Sequence, residues 1–305
     1  MKSVTAGVAA IALCGTTVRS FSPPYTLNSA STRIRPSFMF FADSAVESES
    51  PSVQIAPLDG TEASIDNAAR FMVDAFWLQS PQQLVQQGAD GDSSEISESA
   101  RSSLVNIQAD DLMGKYGERL GKRKLDALIL VAAEGENAKD GALSNVDDAL
   151  GMVTIEVRLL DRQKDILSAD ASEFYLTQAV ASMGPKQRRE YKDASVIDIA
   201  NQLLPPDISA VCSLSNLCVS PAARRKGLAA KLCNEAMRVA KEEWEFDDIF
   251  LRVEASNEAA KTLYEEKLGY ESVFEVGSAT ALRVDGTTGT FVEVESDIVI
   301  LKNKL

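Results

Sequence analysis

The sequence predicts a mixed α/β protein in which helices pack against a β-sheet. Short apolar segments typical of strands lie at 53–58, 128–134, 151–160, 211–219, 248–255 and 290–304. Segments with apolar residues at helical spacing lie at 61–77, 112–124, 172–182, 196–204, 228–240 and 256–267. Apolar residues make up 45% of the chain and charged residues 25%, which is enough apolar side chain to bury a core.

The elements of the first half follow from local signals. Thr61 or Ser64 can cap a helix that runs to Trp77. Residues 81–101 are polar and acidic, and we expect a loop or a disordered insertion there. Residues 112–124 are predicted to be helical.

The later elements complete the sheet. Residues 128–160 are predicted to form a β-hairpin around a long polar loop, and residues 161–206 a partly helical insertion. Alternation over residues 290–304 suits closing strands, and residues 277–289 are predicted to be a loop.

The N-terminal segment has the composition of a targeting sequence. Residues 1–20 are predicted to be a signal peptide, because Lys2 precedes an apolar run too short to span a bilayer. Residues 21–52 are a predicted transit peptide and linker, rich in Ser and Arg and without an acidic residue before Asp43. With Phe21 at the junction, the leader resembles the bipartite plastid presequence of algae with secondary plastids, such as diatoms. The resemblance implies a plastid protein; a secreted or mitochondrial protein is the alternative. The folded domain is then expected over residues 53–305, with insertions near 81–111 and 161–206.

Charge and composition exclude several function classes. The net charge of −14 argues against nucleic acid and anionic membranes as partners, and an acidic surface favours cationic partners such as amines. The chain has no histidine, which excludes a Ser-His-Asp or Cys-His mechanism and any His-ligated metal. The four cysteines form no CxxC pair, so neither a zinc site nor a disulfide framework is expected.

A strand-to-helix junction carries the predicted binding site. The strand at 211–219 is followed by Arg224, Arg225, Lys226 and Gly227, and then by an amphipathic helix. Cations at a helix N-terminus oppose the helix dipole unless an anion lies between them. The unpaired N–H groups of the first turn and a glycine without a Cβ complete a cradle for a pyrophosphate. A plain helix with basic residues at its start is the alternative interpretation.

Two motifs resemble the GNAT (Gcn5-related N-acetyltransferase) superfamily. Arg224-x-x-Gly227-x-Ala229 is similar to its Q/R-x-x-G-x-G/A signature, and residues 257–270 are similar to its N-x-x-A-x-x-L-Y-x-x-x-G-F/Y element. The resemblance is specific over about residues 214–273 and is closest to the plastid subgroup that acetylates protein N-termini and lysines. It implies a mostly antiparallel, twisted sheet that splays near Leu217–Val219, with helices on both faces.

The resemblance also implies a cofactor and site residues. Acetyl-CoA is the expected co-substrate, with no metal. The predicted cofactor-binding residues are Leu217, Cys218, Val219, Arg224, Arg225, Lys226, Gly227, Leu228, Ala229, Asn257 and Tyr264. Backbone N–H groups near Leu217–Val219 are expected to polarise the thioester.

The expected reaction is acyl transfer to an amine in a ternary complex. Tyr264 is the predicted general acid for the thiolate. Glu254, Glu156 or a water chain could take the amine proton. Protein N-termini and lysines are the expected acceptors, and a small amine is the alternative acceptor. A third hypothesis is that the protein is a non-catalytic acyl-CoA-binding module.

Overall fold

The structure is a computed structural model that describes residues 53–79, 84–85, 96–117, 127–135, 146–191, 194–285 and 288–305. The predicted signal and transit peptides, and residues 118–124 of the predicted helix 112–124, lie outside these residues. Among the described residues, no helix is long and apolar enough to cross a membrane.

Nine strands of the described residues form one sheet. They are β1 (Val53–Pro57), β2 (Leu84–Val85), β3 (Ala127–Glu134), β4 (Ala149–Asp161), β5 (Ile166–Leu167), β6 (Ile208–Val219), β7 (Asp248–Glu254), β8 (Glu271–Asp285) and β9 (Thr290–Lys304). The order is β1-β3-β4-β6-β7-β9-β8-β2, with β5 paired to β4. All pairs are antiparallel except β6 with β7 and β2 with β8, so the predicted mixed α/β fold with a mostly antiparallel sheet is confirmed.

The helices are α1 (Glu62–Met72), α2 (Glu98–Tyr116), α3 (Ala169–Ser182), α4 (Pro185–Glu190), α5 (Val196–Leu203), α6 (Leu228–Glu242) and α7 (Glu258–Lys261). α1 continues as a π-helical segment at Val73–Leu78, and α7 as another at Thr262–Lys267. Five helices begin at a side chain that accepts a hydrogen bond from a first-turn N–H: Thr61, Ser97, Ser168, Ser195 and Asn257.

Helices cover both faces of the sheet. On one face, α6 packs on alternate residues of the strands, and Leu232 and Ala236 of α6 are fully buried against residues such as Ile155 and Leu251. On the other face, α1 and α2 pack over Ile129, Val131 and Met152. These two cores hold the central strands β4 and β6 between them.

Two expectations are wrong. The predicted loop 277–289 is largely strand, because β8 runs to Asp285 and pairs with β9 from Glu271 onward. Of the segment 81–101, predicted to be a loop or a disordered insertion, only residues 84–85 and 96–101 are described, and they contain β2 and the start of α2. α2 begins at Glu98 and ends at Tyr116, so it starts well before the predicted helix 112–124. Ser97 caps this helix early, and apolar side chains such as Leu104 and Leu112 bury its inner side.

Candidate active site

The central parallel pair of strands separates after three residues. β6 and β7 pair only at Cys212–Ile249, Ser213–Phe250 and Leu214–Leu251. Beyond Leu214, β6 continues to Val219 while β7 continues to Glu254 without pairing to β6. The backbone groups that face each other across this gap are therefore left for a ligand, since a buried edge needs partners. The predicted splay near Leu217–Val219 lies in this gap.

A β-bulge shapes β6 inside the gap. Met152 pairs with Cys218 and Thr154 pairs with Ser215, so two residues of β6, Asn216 and Leu217, lie opposite Val153 alone. Asn216 adopts a left-handed φ of 52°. The bulge interrupts the ladder at the position where the sequence predicted thioester-polarising N–H groups.

The loop after β6 forms a backbone cradle at the start of α6. Arg225 and Gly227 have φ values of 65° and 79°. Lys231 is the first residue of α6 to donate an α-helical bond, from its N–H to the carbonyl of Gly227 at 3.1 Å, which leaves the preceding N–H groups without helical partners. A Cβ on Gly227 would meet no atom within 4 Å, so the space beside this glycine is open. Successive N–H groups in such a turn form an anion-binding concavity.

The three basic side chains of the cradle divide into two kinds. Arg225 and Lys226 are exposed beside the open space, as an anion site requires. Arg224 instead donates from Nε to the Val219 carbonyl at 3.0 Å, from Nη1 to the Gln79 carbonyl at 3.1 Å and from Nη2 to the Ala75 carbonyl at 2.9 Å. We call this set of bonds the Arg224 clasp. It ties the cradle to the C-terminal end of the π-helical segment after α1, a role that the sequence prediction of Arg224 as an anion-binding cation did not include.

Tyr264 lies in the π-helical segment that follows α7. Its side chain is buried and contacts the ring of Tyr270 edge to face, with 5.6 Å between ring centroids. Burial, with a smaller contribution from Cys233, raises the pKa of the Tyr264 phenol above its ordinary value. The phenol is therefore protonated at neutral pH, which is the state that a general acid needs.

The remaining predicted residues have structural roles of their own. Asn257 accepts a hydrogen bond from the Ala260 N–H at 3.1 Å, so it caps α7. Cys218 is buried and burial raises the pKa of its thiol to about 12, which makes the thiol unreactive. Leu217 and Val219 are half-buried next to the core under α6, whose first two residues are Leu228 and Ala229.

A band of polar side chains, missed by sequence reasoning, lies on the sheet face opposite α6. Both carboxylates that were considered as bases are ion-paired there. Glu156 pairs with Arg158, while Glu254 pairs with Arg283 and accepts a hydrogen bond from Ser296 Oγ at 3.0 Å. Neither is an unpaired base. The signal in the sequence was the alternation of polar residues on otherwise buried strands, as at Thr154, Glu156 and Arg158.

Comparisons with known proteins match the segment that contains the gap, the bulge and the cradle. The model of the acetyltransferase (GNAT) family matches residues 200–270. GCN5-related N-acetyltransferase 7, chloroplastic, of Arabidopsis thaliana is 45% identical over 58 residues, which are 19% of this chain and 20% of that protein. The chain thus spans about one fifth of the length of this curated relative.

Solved structures show a weaker likeness. The crystal structure of Arabidopsis thaliana NAA60 with a bisubstrate analogue aligns at a TM-score of 0.41 and 12% identity, over 83% of this chain and 99% of that chain. The ribosomal-protein-S18-alanine N-acetyltransferase of Escherichia coli aligns at a TM-score of 0.41 and 13% identity, over 83% and 94%.

The matched residues 200–270 run from the end of α5 through β6, the cradle, α6 and β7 to Tyr270. They include the gap, the bulge and the cradle, and they agree with the two sequence motifs. This segment of the chain is therefore similar to the acetyltransferase (GNAT) family.

Proposed function

We propose that the chain is an acetyl-CoA-dependent N-acetyltransferase whose acceptors are protein N-terminal α-amines, lysine side chains, or both. The observation that carries the proposal is the continuity of the gap after Leu214 with the cradle at Gly227. A pyrophosphate suits the open N-terminus of α6, and an extended amide arm suits the unpaired edge of β6. The name of the matched chloroplastic relative supports the same reaction class.

Each part of the cofactor would meet a different group. The N–H groups of Leu228 and Ala229, with the side chains of Arg225 and Lys226, would hold the pyrophosphate. The free edge of β6 would bind the pantetheine amides, and N–H groups at the bulge would donate to the thioester oxygen, where negative charge develops in the transition state.

The transfer itself needs one proton acceptor and one proton donor. The neutral amine attacks the thioester carbonyl, the N–C bond forms, and the C–S bond breaks as the tetrahedral intermediate collapses. The amine proton passes to water, because Glu156 and Glu254 are ion-paired. The thiolate takes a proton from Tyr264, which is then restored from solvent.

Two buried tyrosines allow a matched test. Tyr264→Phe is expected to lower turnover by about 100-fold or more while acetyl-CoA affinity is kept, because it removes only the donated proton. Tyr270→Phe is the control, since the Tyr270 hydroxyl is buried without a hydrogen-bond partner and packs against the same ring. This control should keep full turnover. Both variants are assayed for acetyl-CoA turnover against peptides with free or blocked N-termini.

The acceptor that is modified in this assay distinguishes the alternative functions. Acetylation of free N-termini only, or of lysines in blocked peptides only, assigns one acceptor. Turnover of small amines without peptides supports a small-amine acetyltransferase. Acetyl-CoA binding without any turnover supports a binding module, and failure to bind acetyl-CoA refutes the cradle.

We also propose import into the plastid, from the composition of residues 1–52 and from the chloroplastic relative. A fluorescent protein fused behind these residues should enter plastids of a diatom, and Phe21→Ala should divert it. Secretion or mitochondrial import of the unchanged fusion would refute this localisation.

A further inference from the structure

The side chain of Arg252 occupies the first position of β7 beyond the paired part of the central strands. Leu251 is the last residue of β7 paired to β6. Leu251 and Val253 are buried in the core under α6, so Arg252 and Glu254 belong to the opposite face of the sheet. Arg252 is exposed on that face, next to the gap in which the proposed function puts the thioester.

The acceptor has to reach the thioester from the Arg252 face. On the other face, α6 covers the strands and its side chains Leu232, Cys233 and Ala236 are fully buried, which leaves no path for an amine. The band opposite α6 is polar instead, with Thr154, Ser215 and Glu156 on neighbouring strands. This step rests on the proposed function.

The whole chain is acidic, but the two carboxylates of this band are each paired with an arginine. Glu156 is neutralised by Arg158 and Glu254 by Arg283, whereas Arg252 makes no ion pair with any described residue. Enough protein surrounds Arg252 that burial lowers its pKa, with repulsion from Arg158 as a second cause and Asp170 opposing both. The band therefore offers one unneutralised guanidinium to whatever binds there.

Two buried donors beside the band also lack acceptors. The Tyr116 hydroxyl at the end of α2 and Nε of Arg158 have no hydrogen-bond partner, although both atoms are shielded from solvent. Tyr116 is 4% exposed, and burial, with the nearby Glu156 carboxylate as the second cause, raises the pKa of its phenol. Buried donors without partners are costly, which points to a ligand with acceptor oxygens.

We propose that the acceptor carries a carboxylate close to its reacting amine, and that Arg252 binds this carboxylate. The carboxylate could be an acidic side chain near a peptide N-terminus or the α-carboxylate of a free amino acid. Both place an anion a few bonds from the amine, and a guanidinium is the side chain best suited to bind it. Arg252 is then a specificity-determining residue, and the local charge reverses the preference for cationic partners expected from the net charge.

The test compares isosteric acceptors with the full chain. One arm uses peptides with free N-termini that begin Met-Asp or Met-Asn, and the other uses alanine or alaninamide. In at least one arm, kcat/KM is expected to be about tenfold higher for the carboxylate acceptor than for the amide. This factor corresponds to the free energy of one charge-assisted hydrogen bond. Arg252→Gln should remove this preference, so that kcat/KM is equal for the carboxylate and the amide acceptor, and should leave the affinity for acetyl-CoA unchanged.

A matched arginine serves as the control. Arg238→Gln changes an arginine on the outer side of α6 that pairs with Glu235, Glu242 and Glu243, and it should keep the ratio. Arg252→Glu should favour a Met-Lys peptide instead. Equal turnover of carboxylate and amide acceptors, or a ratio that survives Arg252→Gln, overturns this proposal and leaves the proposed function intact. No turnover of any of these acceptors overturns this proposal, and it overturns the proposed function as well only if lysines in peptides with blocked N-termini also stay unmodified.

Discussion

Replacing Arg224 separates a structural clasp from an anion ligand. The guanidinium donates to three carbonyls in two segments of the chain, those of Val219, Ala75 and Gln79. The bonds to Val219 and Ala75 are partly buried, whereas the bond to Gln79 is exposed. Hydrogen bonds from a charged donor contribute about 1.5–3 kcal/mol each when buried, and less where water can replace them. We therefore expect Arg224→Ala to lower the free energy of unfolding by about 3 kcal/mol.

Lysine should not rescue this position. A single ammonium cannot reproduce a fork that spans the cradle and the helix end, so Arg224→Lys should lose about 2 kcal/mol. Thermal unfolding should report a fall of roughly 6–12 °C for the alanine variant, from about 2–4 °C per kcal/mol in a domain of this size. Amide exchange over residues 73–79 should accelerate in both variants, since their helix end loses its tether.

The adjacent arginine gives the contrasting result. Arg225 is exposed beside the cradle, so Arg225→Gln should keep the melting temperature and weaken acetyl-CoA binding. The clasp interpretation fails if Arg224→Ala behaves like Arg225→Gln, with unchanged stability and unchanged exchange over residues 73–79. Arg224 would then be an anion ligand, as the sequence motif suggested.

Two further predictions concern the cradle glycine and the buried thiols. Gly227→Ala should cost about 1–2 kcal/mol of stability because its φ is 79°, and should also weaken acetyl-CoA binding by placing a Cβ in the anion space. Gly135→Ala is its control, with a φ of 73° and nothing within 4 Å, and should lose stability alone; equal affinities in the two variants would contradict the cradle. Burial raises the pKa of Cys212, Cys218 and Cys233 from 9.0 to about 12, so above pH 9.0 the unfolded chain loses protons that the folded chain keeps. Stability measured by urea unfolding should thus fall as pH rises from 9.0 toward 12, and iodoacetamide should leave these thiols unmodified at pH 8 in the folded protein; rapid alkylation would contradict their burial.

Local signals in the sequence located the central unit of the fold. Gly227 at the start of α6, the apolar stripe of α6, the Asn257 cap of α7 and Gly269 after the π-helical segment are all short-range signals. The cap at Thr61, one of the two candidates with Ser64, was predicted for the same reason. Elements whose stability is non-local were missed. β8 is held by its long ladder with β9, and its many small or exposed residues carry no strand signal of their own.

The sequence predicted the backbone features of the site, but not the hydrogen-bond and ion-pair partners of its side chains. The partners of Arg224 lie 145 and 149 residues earlier in the chain, so no window of sequence contains them. The bulge at Asn216 depends on pairing with β4, and the ion pairs of Glu156 and Glu254 depend on which face each strand presents. A motif that matches a family reports the shared backbone; the side chains that distinguish one acceptor from another come from tertiary contacts.

The Arg224 clasp connects the two halves of the proposed reaction. Its helical end belongs to a segment that is tied to α2, because Asp74 accepts a hydrogen bond from Arg101 Nε at 2.8 Å and Gln108 accepts one from Trp77 Nε1 at 3.3 Å. α2 ends at Tyr116, whose unpartnered hydroxyl lies beside the acceptor band. A continuous series of bonds therefore runs from the cofactor cradle, through the π-helical segment, to the helix that borders the acceptor. In the proposed reaction the thioester and the amine must be held at contact distance, and a cradle bonded to the wall of the proposed acceptor site would position both reactants.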